Sequence, residues 1–377
     1  MSKVLFAISD TGGGHRSAAE AMIAALSKVD PNAQCTITDL LRAADVPMIR
    51  NAPEIYDYWS TRRMWVYDLF WRLTNEPYRI DVLSAIVFPR ARKNIKRILR
   101  ELSPDMVVVA HPLAVCLMCK ARREMMANWP VVTVVTDLAT IHASWAYDEC
   151  DAYFVPTFEA YNALLKYGIS ESKIIYSGFP VHPKFLEGKI AKQEARLQLK
   201  IDPSRFTVLL TSGGAGGGKV QETLETLEAY FPAIQVLAVT GNNKNLFTSL
   251  NEREGANEWT RVYGFVDNME LLMSASDLVI SKAGPGTIME VMSMQRELIV
   301  TGALGVQETG NIDYVVNNRL GYYCPDAASL RKAVHEISER SALADIPQSK
   351  TEVKIEGSAQ IAAALLEHIA ENGSKSA

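Results

Sequence analysis

The 377-residue chain predicts an α/β fold with two Rossmann-like domains facing a central cleft. Three observations predict it. The chain opens on an apolar run, a glycine loop and a helical segment, in KVLFAISDTGGGHRSAAEAMIAAL. The same order recurs past residue 200, in FTVLLTSGGAGGGKVQETLETLEAY. Apolar runs of strand length then alternate with helical segments through both halves, the pattern of parallel sheets with helices on both faces.

The strands follow in order. In the first half they are expected at Val4–Ile8, Gln34–Ile37, Met106–Ala110, Val131–Thr136, Ala152–Val155 and Ile174–Tyr176. In the second half, after the strand in FTVLLT, they are expected at Ile234–Thr240, Arg261–Val266, Leu278–Ser281, Glu297–Val300 and Gly321–Cys324. Ala18–Leu26 is rich in Ala, Met and Leu and predicts a helix. GFPVHPKFLEGK (178–189) has the proline and glycine content of a linker. The domains are therefore expected at 1–180 and 190–355, with a C-terminal helix and tail at 356–377.

Composition narrows the function. Hydrophobic content of 48% and charged content of 22% are those of a globular chain. A net charge of −4 gives no reason to expect nucleic acid. A strand at the start predicts no secretory signal, and no apolar stretch reaches the ~18 residues that span a bilayer. The best candidate, Met106–Cys119, is broken by His111-Pro112. The five cysteines form no disulfide framework; Cys116 and Cys119 give one CxxC, half the ligands of a tetrahedral zinc site, and read as core. A reducing, cytoplasmic location is expected.

The loop SDTGGGHRSAAEA raises the functional question. Glycines allow positive φ and let a ligand approach the backbone, and the helix that follows offers unpaired N–H groups and a partial positive charge. His15 sits at that mouth, after Gly13 and Gly14. A tight βα turn with a surface histidine is one reading. A titratable group over a substrate is the other, and it is favoured because a turn needs one glycine and no imidazole.

Two motifs fail. GGAGGGKV (213–220) lacks the hydroxyl residue that ends a P-loop, and TGGGHRSA lacks the last glycine of the dinucleotide fingerprint. The physics they share survives: glycine backbone and a helix start beside phosphate. A third such loop, KAGPGT (282–287), follows the strand LVIS, and two in one domain suggest a diphosphate. Glu290, one turn on, suits a ribose diol or simply stabilises the start of its helix.

SDTGGGHRSAAEA, VVTDLATIHASW, SGGAGGGK, KAGPGTIMEVM and GVQETGN occur in that order. Together, from about residue 4 to 340, they resemble the monogalactosyldiacylglycerol synthases and related bacterial diacylglycerol glucosyltransferases. The resemblance implies a GT-B fold, with acceptor in the N-terminal domain and UDP-sugar in the C-terminal one. It implies inverting transfer of galactose, or of glucose, to the 3-hydroxyl of diacylglycerol without a cofactor or metal; the sequence holds no D-x-D. The family's base falls on His15. Asp137, at the end of a buried strand, orients His15, serves as base, or caps the next helix. His142 is a local or acceptor-side group. Gly213, Gly214, Gly286 and Thr287 map to the diphosphate, Phe265 and Val266 to uracil, Glu290 to the ribose, and Gln307 and Glu308 to the sugar. Residues 215 and 216 are Ala and Gly, where an acidic residue of the plant enzymes is expected.

A lipid acceptor needs a landing surface. Residues 62–100 hold ten Lys/Arg and three Asp/Glu, and Trp59, Trp65 and Trp71 lie in or just before them. Arg62, Arg63, Arg92 and Lys93 with Trp65 and Trp71 are expected at an anionic membrane surface, with the protein peripheral on the cytoplasmic face. The other reading is a solvated helix with core aromatics. The rival functions are a UDP-N-acetylglucosamine 2-epimerase on the same scaffold, a lipid-surface protein without a donor site, and transfer to lipid I.

Overall fold

Strands that are apolar on both faces must be covered on both, and that requirement organises the molecule. The computed structural model describes residues 2–11, 13–47, 49–211, 213, 219–253, 257–342, 354–355 and 357–375. It divides into two units: Met1–Pro183 with Gly305–Gln307 and Lys354–Ala377, and Lys184–Leu304 with Glu308–Val353. The boundary falls inside the expected linker.

The first unit holds β1 (Lys3–Ile8), β2 (Gln34–Asp39), β3 (Met106–Val109), β4 (Val131–Val134), β5 (Ala152–Val155) and β6 (Ile174–Tyr176). They form one sheet in the order β2-β1-β3-β4-β5-β6, with parallel pairing throughout. Side chains alternate across it. Leu5, Ala7, Val107 and Val109 face helices Pro77–Leu102 and Pro112–Met125. Val4, Phe6, Ile8, Met106 and Val108 face helix Gly14–Val29, through Met22 and Leu26.

That second face is completed from far along the chain. Helix Gly357–Lys375 packs on helix Gly14–Val29 and buries Ile361, Ala362 and Leu365. Each fully buried aliphatic side chain stabilises by about 1.5–3 kcal/mol. The expected C-terminal helix thus belongs to the first unit. Its first residue lies against the chain at 178–179: a Cβ on Gly357 would stand 2.3 Å from the Phe179 carbonyl oxygen.

The second unit holds β7 (Thr207–Thr211), β8 (Gln235–Val239), β9 (Thr260–Tyr263), β10 (Leu278–Ser281), β11 (Glu297–Val300) and β12 (Tyr322–Tyr323). Its sheet runs β12-β11-β10-β7-β8-β9, again all parallel. Val208, Leu210, Val236, Ala238 and Ile280 pack under helices Val220–Tyr230 and Ala327–Ala342.

Chain order reverses between β1 and β3 in the first sheet and between β7 and β10 in the second. At such a switch point the helices leave to opposite faces and open a crevice beyond the strand C-termini. All three glycine loops follow these strands.

The differences from expectation lie at element ends. β9 and β12 are shorter than Arg261–Val266 and Gly321–Cys324; both are edge strands, held by one neighbour. β4 ends at Val134, two residues early, which releases Thr136 and Asp137 from the sheet. The first helix starts at Gly14 rather than Ala18, because Gly13 takes a left-handed φ of 78° and turns the chain straight into it. Cys116 and Cys119 are buried in the core, as expected. Among the described residues, no helix is long and apolar enough to cross a membrane.

The close approach at Gly357 is testable. Gly357→Ala is expected to destabilise the first unit by about 1–3 kcal/mol, through displacement of the helix from residues 178–179. Urea unfolding of the full chain measures it; an unchanged first transition argues that the contact does not form.

Candidate functional site

The crevice between β1 and β3 holds two imidazoles. His15 enters from the first turn of helix Gly14–Val29, and His111 from the residue after Ala110 at the end of β3. Their ring centroids are 4.7 Å apart in an edge-to-face arrangement. The hydroxyl of Thr136 lies 3.0 Å from His15 Nδ1, and the Trp145 ring is 6.3 Å away. Desolvation by these walls pushes the His15 pKa down to about 4; a hydrogen bond to the Ala110 backbone opposes it. His15 is therefore neutral through the physiological range.

The helix start beneath it is bare. Gly13 supplies no side-chain cap, and the first turn has no acidic residue. A Cβ on Gly13 or Gly14 would meet nothing within 4 Å. A helix start without a side-chain cap is an arrangement that suits an anion or a developing negative charge. Arg16 turns aside, in a two-pronged pair with Asp10 at 2.7 and 2.9 Å.

Thr136 and Asp137 divide two tasks. Thr136 meets His15, whereas Asp137, 5% exposed, accepts from the Trp145 indole N–H at 2.7 Å. His142 is local. Its Nδ1 lies 2.7 Å from the Ser144 hydroxyl and accepts from the Ser144 N–H at 3.2 Å; its Nε2 faces the Trp71 carbonyl (3.2 Å) and the Thr74 hydroxyl (3.1 Å). Burial pushes its pKa down to about 4, and the Trp71 carbonyl opposes. His142 thus ties helix Met64–Thr74 to the turn Ala143–Trp145.

In the second unit, Gly213 (φ 72°) follows β7 and lies beside Lys282, which follows β10. Gly214 lies outside the described residues. Gly286 and Thr287 occupy the first turn of helix Pro285–Ser293, whose cap Gly284 makes no side-chain bond and whose first turn lacks an acid. A Cβ on Gly286 would meet nothing within 4 Å. This helix start is open like that of the first unit. Lys282 forms an ion pair with Glu308, whose second oxygen accepts from the Leu304 N–H at 2.8 Å. Glu308 is buried and held by these partners. Gln307 clusters with the first unit.

Glu290 is half-buried on the same helix. Desolvation pushes its carboxyl up to about 7; Lys184 opposes and Glu270 adds to the rise. Phe265 is 68% exposed and Val266 is half-buried, in the loop after β9.

On helices Met64–Thr74 and Pro77–Leu102, Trp65 is 66% exposed, and Leu69, Phe70, Leu73, Tyr78, Val82 and Ile86 are exposed with it. Monomeric proteins seldom leave such a run of large apolar groups open. Arg63, Arg92 and Lys93 are also exposed. Trp71 is half-buried, its ring 5.0 Å from that of His142. The Arg62 side chain lies outside the described residues.

Sequence reasoning passed over Thr136, His111 and Lys282. The signal for the last two is position: each follows a strand that borders a switch point.

Residues 15–181 match the family described as monogalactosyldiacylglycerol (MGDG) synthase, and residues 207–356 match the glycosyltransferase family 28 C-terminal domain. The chain is 31% identical over 348 residues to the chloroplastic monogalactosyldiacylglycerol synthase of Spinacia oleracea, covering 89% of this chain and 66% of that one. Synthase 1 of Arabidopsis thaliana is 32% identical, covering 88% and 64%. Probable synthase 2 of Oryza sativa subsp. japonica is 31% identical, covering 88% and 72%. The chain thus spans somewhat less than two thirds of the first of these relatives. Among solved structures, UDP-GlcNAc 2-epimerase from Neisseria meningitidis aligns with a TM-score of 0.64 at 14% identity, over 98% of this chain and 100% of that one. MurG of Acinetobacter baumannii aligns with a TM-score of 0.59 at 13%, over 97% and 100%. These neighbours share the GT-B fold.

Glu290 makes a prediction independent of any substrate. Its folded pKa lies above its ordinary 4.5, so its stabilising contribution is complete below about 4.5 and is lost as pH rises through about 7. Glu290→Gln, which stays neutral, is expected to gain stability relative to the native protein between pH 5 and pH 8.5. Thermal melts at the two pH values check it; an equal offset at both would mean an ordinary carboxylate.

Proposed function

The chain belongs to the monogalactosyldiacylglycerol synthase family, and on that premise we propose that it is an inverting glycosyltransferase moving galactose from UDP-galactose to the 3-hydroxyl of 1,2-diacylglycerol. The observation that carries the reading is His15: a neutral imidazole on an open helix start at a switch point.

The chemistry is a single displacement. The acceptor 3-hydroxyl approaches His15, which takes its proton as the oxygen attacks the anomeric carbon. The bond from that carbon to the β-phosphate oxygen breaks on the opposite side, the centre inverts, and UDP departs. Its charge needs preorganised donors. The open N–H groups at Gly286 and Thr287, with Lys282 nearby, offer them without a metal ion. Glu290, as a carboxylate, suits the two ribose hydroxyls, and Phe265, Val266 and Gln307 remain the candidates for base and sugar. Glu308 acts through Lys282 in this reading, since both its oxygens have partners.

The acceptor lies in a bilayer, and the exposed patch supports a peripheral protein at a membrane surface; we place it on the cytoplasmic face. Trp65, Leu69 and Leu73 would enter the interface while Arg63, Arg92 and Lys93 meet anionic headgroups.

A product assay tests the proposal. Protein is mixed with diacylglycerol in anionic liposomes and either UDP-galactose or UDP-glucose, with EDTA present. Monogalactosyldiacylglycerol is expected in the galactose tube. A glucolipid instead corrects the donor, and epimerised UDP-sugar without glycolipid refutes the transfer. In the productive tube, His15→Ala is expected to lower kcat by ~10²-fold or more while UDP binding by calorimetry is kept. Near-native turnover would remove His15 as base.

The surface is tested separately. Trp65→Glu with Leu73→Glu is expected to weaken co-sedimentation with anionic vesicles by about tenfold or more, and raised salt to weaken native binding further. Unchanged sedimentation would refute that surface.

A further inference from the structure

His111 has no part in the chemistry above, yet it is 5% exposed and touches both sides of the glycine loop. Its Nε2 lies 3.2 Å from the hydroxyl of Thr11, the residue that enters the loop. Its ring meets that of His15, the residue that leaves it. The loop needs such a hold. Glycine loses more conformational freedom on ordering than any other residue, and no side chain caps the helix that follows. Nδ1 of His111 is buried with no hydrogen-bond partner among the described residues. A buried polar atom left unpaired costs about 1–3 kcal/mol, which a residue with a packing role alone would not need.

We propose that His111 is a positioning residue for His15, holding the glycine loop through Thr11 and fixing the His15 ring by edge-to-face contact. Pairing also limits charge. Two imidazolium ions with rings 4.7 Å apart repel, so the two rings together carry no more than one positive charge near neutral pH. Of the charged groups nearby, Arg16 is paired with Asp10, and the Asp137 carboxylate accepts from the Trp145 indole and the Gln307 amide. Burial and the nearby His15 both hold His111 well below the ordinary histidine range. His111 is therefore the wall that keeps His15 neutral and aimed.

The inference rests on His15 as the base, and the test separates the two. His111→Phe keeps the ring volume and loses the Thr11 bond. His111→Gln restores a group able to reach the Thr11 hydroxyl. His111→Ala admits water beside His15. Phe is expected to lower kcat by about ten- to a hundredfold with the donor KM unchanged, and Gln to recover most of that loss. Imidazole NMR of His15 is expected to show its titration in the Ala variant moved upward by about one pH unit or more, toward its ordinary value. Native kcat in His111→Phe, no recovery in His111→Gln, or an unmoved His15 titration in His111→Ala would each overturn the proposal. If the native protein makes no glycolipid, the base reading falls, and the NMR titration still decides whether His111 governs His15.

Discussion

The functional geometry of this protein depends on one pairing, that of β1 with β3. Because β2 and β3 flank β1 on opposite sides, the helices that follow β1 and β3 leave to opposite faces of the sheet. Between them the strand ends are uncovered, and the side chains there meet without a helix in the way. His15 and Thr11 come from the loop after β1, His111 from the end of β3 and Thr136 from the end of β4. The crevice also desolvates them. An imidazole enclosed this way stays neutral because charging it would forfeit hydration that the walls do not replace.

The second sheet repeats the device with different chemistry. Its switch point gathers glycine backbone, an open helix start and a cation held by a buried carboxylate. The fold supplies the same opening twice, and residue choice lines one with imidazoles and the other with a lysine paired to a carboxylate. This is why the fold alone, shared at 13–14% identity with an epimerase and with MurG, says little about the reaction.

Much of the fold was legible because strands buried on both faces are continuous apolar runs, and such runs survive in one dimension. The ends were not. At the sheet edges β9 and β12 stop sooner than their apolar patterns, whereas β2, also an edge, runs on past Ile37 to Asp39. His15 stood out because a tight turn needs one glycine and no imidazole. Its partner did not. Thr136 and Asp137 are adjacent, and only the backbone path after Val134 decides that the hydroxyl meets His15 while the carboxylate meets Trp145. Trp71 shows the same limit: its neighbourhood resembles that of Trp65, yet it rests on His142. Lys282 sat inside a loop read for its glycines, and its pairing with Glu308 spans a distance that no local pattern reveals.

The helix at 357–375 helps to cover one face of the first sheet, and in sequence the whole second unit separates it from the strands it covers. During synthesis, β1, β3 and β4 leave the ribosome long before that helix does. Until it arrives, Val4, Phe6 and Val108 have an incomplete roof, and the nascent first unit presents an apolar strip to its surroundings. The second unit, continuous except for residues 305–307, has no such debt. The half that carries His15 thus completes its core only once helix Gly357–Lys375 is available.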